Sequence, residues 1–248
     1  MRAWWITVLI LGWMSFHLGC KKQTAPTISA EEAIAARSHF ERHLMAIGAG
    51  SVGIPHTGLK MNGSMEVMGQ TGKNLFAIEQ KIPNLYYVRI SLSGVGVFER
   101  GYDGQQFWER TPRGSRFLSK EEVASLESTI DFQRWKNHAQ WYPTITQVFE
   151  TSFGGELCTA LKVQTHDNRE ETLFFAKQSG LLMGIEKSGE TKSVVRYGQY
   201  LPQGDIKMPT YWEEKTGDIH KIWRVEQLEW DRNEVDFRPP PSLLEERR

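Results

Sequence analysis

The chain has 248 residues, with 30 Lys and Arg against 30 Asp and Glu, 40% hydrophobic residues, 11% aromatic residues and two cysteines. Such values belong to a folded globular protein and exclude collagen-like, disordered and disulfide-stapled classes. A formal charge of zero removes the broad basic field that nucleic-acid binding needs, so no nucleic-acid partner is expected.

Residues 1–19 combine one early cation, Arg2, with an apolar run from Trp4 to Phe16. This is the pattern of a secretory signal peptide, too short for a comfortable transmembrane helix. The ending Leu18-Gly19-Cys20 resembles the bacterial lipobox, whose cysteine is acylated, although His17 stands where that pattern has Leu. Cys20 is therefore the expected lipidation site and the expected route to the membrane, because two acyl signals suffice for stable anchoring. Residues 20–28 read as a tether, 29–241 as one folded domain and 242–248 as a frayed tail. Cys158 lies in a strand-like run and reads as a small buried thiol, with a disulfide to Cys20 as the competing reading in an exported protein.

Ser29-Ala30-Glu31-Glu32 fits a capping box and opens a helix that carries Ala33, Ala36, Phe40, Leu44 and Ile47 on one stripe. From Thr57 the period changes to two, with Leu59, Met61, Met65 and Val67 on one face of a half-buried strand. Further strands are predicted over 75–82, 86–92, 95–102 and 105–111, with Asp103-Gly104 the strongest hairpin signal. A second capping box, Ser119-Lys120-Glu121-Glu122, predicts helix to about His138. Strands resume over 144–151, 156–165, 170–176, 181–187, 193–200, 207–214 and 219–230. No dispersed helices separate these strands, so the expected class is α+β with a long antiparallel meander of about eleven to thirteen strands.

No catalytic constellation emerges. Gly48-Ala49-Gly50-Ser51-Val52-Gly53 has the letters of a dinucleotide fingerprint, but the helix precedes it and the strand follows, so it reads as a helix cap and loop. His39 and His43 have metal-ligand spacing on the first helix, yet no third ligand adjoins them, and a solvated face is the expected setting. Gly-x-Ser-x-Gly is absent, Cys158 with His166 reads as structural, and Asp218 with Glu213 or Asp103 with Glu99 fall at hairpin ends. Neither metal nor cofactor is expected.

The large methionine and aromatic content of a sheet with few helices points to an apolar cavity, since these side chains adapt to ligands of varied shape. Strand alternation selects Met61, Met65, Val67, Phe76, Ile78, Val88, Ile90, Trp108, Leu161, Phe174 and Trp223 as its lining.

Five segments carry a family resemblance: the helix ending His43-Leu44-Met45-Ala46-Ile47-Gly48-Ala49-Gly50, the hairpin Tyr102-Asp103-Gly104-Gln105-Gln106-Phe107-Trp108, Ser179-Gly180-Leu181-Leu182, Asp205-Ile206-Lys207-Met208-Pro209, and Asn233-Glu234-Val235-Asp236-Phe237-Arg238-Pro239-Pro240. Together they resemble the LolA/LolB-like superfamily of periplasmic carriers and lipoproteins, the bacterial outer-membrane lipoprotein-sorting family. The resemblance implies an unclosed antiparallel half-barrel with helices packed over its concave face, acyl chains bound in the hollow and no enzymatic activity. The expected protein is thus a lipid-anchored envelope lipoprotein facing the periplasm, with the outer membrane favoured. Its partners would be lipid or an acylated protein. The alternative is a regulatory or structural lipoprotein that uses the same fold to bind a protein partner.

Overall fold

The computed structural model describes residues 28–119, 122, 123, 126, 130–189, 191–232 and 234–245. The signal peptide and Cys20 lie outside them. Thirteen strands form one antiparallel sheet in the order β6-β5-β4-β3-β2-β1-β13-β12-β11-β10-β9-β8-β7. The sheet is unclosed, with β6 and β7 as its free edges. The strands are β1 (Gly58–Val67), β2 (Asn74–Lys81), β3 (Leu85–Leu92), β4 (Gly96–Tyr102), β5 (Phe107–Thr111), β6 (Gly114–Phe117), β7 (Thr144–Phe153), β8 (Glu156–Gln164), β9 (Glu170–Ala176), β10 (Leu182–Lys187), β11 (Ser193–Gln203), β12 (Ile206–Thr216) and β13 (Ile219–Trp230). The helices are α1 (Ala30–Ala46), α2 (His138–Trp141) and α3 (Pro241–Glu245).

The order is two meanders, β1 to β6 and β7 to β13, sewn together by the pairing of β1 with β13. Consecutive strands are neighbours because short turns allow nothing else; at Asp103-Gly104 the Asp103 carboxylate accepts from the backbone N–H groups of Gln105 and Gln106 at 2.9 and 2.8 Å. The seam has a bulge: Asn62 faces Gln227 while Gly63 faces Val225. The thirteen strands of the described residues are the twelve predicted segments plus the four-residue β6, which has little apolar patterning and escapes a period-two search. One expectation changes here. The helix predicted from Ser119 to His138 does not run through: its capping contact to Glu122 forms at 2.9 Å, but residues 132–137 are turns before α2.

α1 starts at the predicted box, with Ser29 and Glu32 satisfying each other's backbone donors at 3.1 and 2.8 Å. It ends where Gly48 takes φ of 87°, a conformation that costs glycine nothing. Ala36, Phe40, Leu44 and Ile47 share one buried cluster with Leu161, Val163, Leu173, Phe175 and Ile185 of β8 to β10. His43 also belongs to the inner side of α1. It is 2% exposed, and its Nδ1 accepts from the Leu182 N–H at 3.1 Å, which corrects the expectation of a solvated face. The opposite face of the sheet has its own cover near β3 to β5, where Tyr87, Trp108, Phe237 and Leu243 bury together. The chain end thus packs back through α3, including Leu243 at 3% exposure, beyond the boundary expected at 241.

Candidate functional site

The topology dictates a cavity. The connection from β6 to β7 joins the two opposite edges of the sheet, so its residues must pass across a face. Leu126, Asp131, Phe132, Arg134 and Trp135 of that connection, with His43 and Ile47 at the end of α1, line a cavity of about 510 Å³ whose other wall is the sheet. Such a volume lies in the ~300–1,000 Å³ range of small-molecule sites. The crossing segment is tied to β2 by the Gln80 Nε2 donation to the Ile130 carbonyl at 3.0 Å, and Gln133 exchanges hydrogen bonds with the Ile54 backbone.

The sheet wall is contiguous because its residues lie opposite one another across strands. Met61 pairs with Ile78, Ile78 with Val88, and Phe76 with Ile90 on one side of the seam; Tyr197 pairs with Trp212 and Trp212 with Trp223 on the other. Trp212 and Trp223 stack at 5.6 Å, and Phe76 meets Trp223 edge-on at 5.1 Å. The Trp223 indole N–H is buried with no hydrogen-bond partner among the described residues.

Of the eleven residues selected from strand alternation, Met61, Ile78, Val88, Ile90 and Trp223 line this cavity. Met65 and Phe76 are buried beside it, with Val67 packed against them. Leu161 lies fully buried in the cluster shared with α1. Trp108 and Phe174 sit elsewhere. Trp108 shares the opposite face with Tyr87, and its Nε1 donates to the Phe237 carbonyl at 3.0 Å. Phe174 stacks on Phe153 at 4.1 Å beside Cys158, while its neighbour Phe175 takes the α1 side. The reason is local: Phe107-Trp108 and Phe174-Phe175 are adjacent large residues, one of each pair must face each way, and alternation alone does not say which.

The polar lining was not legible at all. His43 and Arg134 line the cavity, and burial, with the nearby Arg134 guanidinium, pushes the imidazole down to about 3, so His43 is neutral. Arg134 lies over the Trp135 ring at 4.2 Å and donates to the Tyr197 hydroxyl at 3.3 Å. Burial opposes its charge, but Tyr197, Tyr142 and Glu171 outweigh that and raise its pKa. Lys187 also lines the cavity, and burial lowers its pKa against the opposing pull of Glu171, its partner across β9 and β10. Asp131 is spoken for, accepting from the Gln133 N–H, the Asn137 amide and the Trp141 indole at 2.8, 3.1 and 2.7 Å. Cys158 is a buried free thiol whose pKa burial raises. Glu99 is buried and engaged by the Tyr87 hydroxyl at 2.6 Å and by Arg110. Among the described residues no helix is long and apolar enough to cross a membrane.

No family model matches the sequence, and no curated protein matches it either. Solved structures do match. A DUF1329 family protein from Desulfovibrio piger superposes with a TM-score of 0.59 at 12% identity, covering 82% of this chain and 95% of its own. A LolA superfamily protein from Nitrosomonas europaea gives 0.57 at 13% identity, covering 82% of this chain and 97% of its own. At such identities the likeness is one of architecture, and the chain has a LolA-like fold.

Proposed function

We propose that this is a lipid-anchored envelope protein that holds acyl chains of lipids or lipoproteins in the cavity, by burial and without a chemical step. In this reading the sheet is a half-barrel whose concave face carries α1 and the crossing segment. Cys20 bears the anchor, and the protein faces the periplasm, with the outer membrane as the favoured site. The supporting observation is the cavity itself, a continuous wall of Met61, Ile78, Val88, Ile90, Trp212 and Trp223 roofed by one crossing segment. Each methylene removed from water contributes about 0.8 kcal/mol, so a chain of moderate length offsets the cost of immobilising it. A second reading draws on the free edges. β7 presents Val148 and Phe149, each 37% exposed, on an edge strand whose outer side a protein partner could extend.

Val88, on β3, is part of the apolar wall, and Val88→Trp would fill the cavity there. Lipid extraction and mass spectrometry of the purified protein should find acyl species on the wild type and at least tenfold less on the variant. No acyl species on either, or equal amounts on both, would overturn the proposal.

A further inference from the structure

The turns at one end of the sheet form a continuous rim. At the end where β1 stops they are residues 68–73 between β1 and β2, 93–95 between β3 and β4, 112–113 between β5 and β6, and 217–218 between β12 and β13. Neighbouring turns touch. The Met68 N–H donates to the His220 carbonyl and the Ser93 N–H to the Asn74 side chain, both at 2.9 Å. Gly72 lies so close to Ser93, and Gly96 to Pro112, that an added Cβ would come within 2.6 Å of the neighbour. The Gly217 N–H reaches the Lys192 carbonyl at 3.4 Å and carries the rim on to the start of β11.

From this rim project Met68, Val95 and Ile219, which are 57, 59 and 54% exposed. Turn tips favour small and polar residues, so three large apolar side chains along one rim mark a surface that meets something apolar. Lys73, Arg113 and Lys215 stand exposed around them, Lys73 at 3.9 Å from Glu226, while Lys192 is held by Glu186 at 2.7 Å. Asp218 is the carboxylate among the described residues of these turns. Apolar tips flanked by long cationic side chains suit a bilayer interface, where the tips enter and the charged heads stay with lipid phosphates.

Apolar exposure alone does not choose this end, because Ile82, Leu157 and Leu201 are exposed at the other. The course of α1 does. Its last turn lies at the far end of the sheet, where the Ile47 carbonyl accepts from the Lys207 N–H at 2.8 Å and Arg42 donates to the Lys177 carbonyl. Its N-terminal half lies at the near end, where Arg37 donates to the Pro143 carbonyl at 2.9 Å just before β7. The chain therefore enters the domain from the side of the rim. α1 has 17 residues, about 26 Å at 1.5 Å per residue, and residues 21–28 span at most about 29 Å when fully extended. A tether held at Cys20 could bring the far end to the membrane only by running back along the helix near full extension, whereas it reaches the rim with slack.

We propose that the rim rests on the membrane that carries the anchor, with Met68, Val95 and Ile219 seated at the boundary of headgroups and acyl chains. The occupant of this surface is a lipid bilayer. The proposal rests on the anchored reading of Cys20 and adds to it how the domain stands on the membrane.

The test uses the full chain, purified from bacterial membranes in detergent and returned to vesicles of phosphatidylethanolamine and phosphatidylglycerol. Met68→Cys, Val95→Cys and Ile219→Cys carry a fluorophore on the rim, and Leu157→Cys and Leu201→Cys carry it at the far end, all at exposed positions. Cys158 is fully buried, and the wild-type chain treated in the same way gives the blank. Quenching by doxyl-labelled lipid in the vesicles should be at least about threefold stronger for the rim labels than for the far-end labels. Equal quenching at both ends, stronger quenching at the far end, or none at either in a chain that sediments with the vesicles would overturn the docking and leave the anchor standing. A chain that does not sediment with the vesicles would overturn both.

Discussion

At the scale of single residues, His43 shows how burial converts a polar side chain into a structural acceptor. It holds the Leu182 N–H at 3.1 Å and packs edge-on against Trp135 at 5.7 Å, inside a wall where a protonated ring would be costly. Unfolded, it takes up a proton near 6.5; folded, not until about 3. The unfolded chain therefore binds the extra proton between those values, and stability falls as pH drops through that window, by about 1.4 kcal/mol per unit, before levelling off near 3. Urea denaturation across the window should show a shallower slope for His43→Gln, which keeps an acceptor and loses the titration. The same slope in wild type and variant would contradict this. The histidine was visible in sequence as one of an i, i+4 pair, but spacing on a helix does not reveal which face meets the sheet when the apolar stripe is broad. Arg134 and Lys187 were silent for a related reason: a cation placed against a cavity reads, in one dimension, like any solvated cation.

At the scale of elements, the seam between β1 and β13 joins strands 152 positions apart in sequence (58 to 67 against 219 to 230, counted from Val67 to Ile219) and holds the two meanders together. Gly63 sits in its bulge, where an added Cβ would collide with the Arg224 carbonyl and the Phe76 ring. Gly63→Ala should destabilise the protein by on the order of 3 kcal/mol, read as a lower urea midpoint with the m-value unchanged. A midpoint shift near zero would show that the seam relaxes freely. Hairpins and α1 were readable because short turns and capping boxes are local signals. The crossing segment was not, because Val123, Leu126, Ile130 and Trp135 have helical spacing while their positions are set by the cavity roof; Gln133 bonds Ile54, and Asp131 bonds Trp141. β6 escaped notice through brevity, and the register of the seam through its separation in sequence.

At the scale of the molecule, one long connection turns an open sheet into a container. Both meanders could form with bare faces; the passage from β6 to β7 roofs the middle of one face, and α1 fills the part over β8 to β10. What remains enclosed is apolar along β1 to β3 and β12 to β13 and cationic at Arg134 and Lys187. The class and the meander followed from period and turn chemistry, and the existence of a cavity from the surplus of Met and Trp. Its walls were only half legible, since adjacent aromatic pairs hide which member faces inward. The most direct measurement is photo-crosslinking with a fatty acid that carries a diazirine at the chain end, followed by peptide mapping of the labelled protein. The account predicts labels on β1 to β3 and β12 to β13, at residues such as Met61, Val88 and Trp212, competed away by unlabelled fatty acid. Labels confined to the outer surface of α1 or to the edge strand β7, or no competable label, would contradict it.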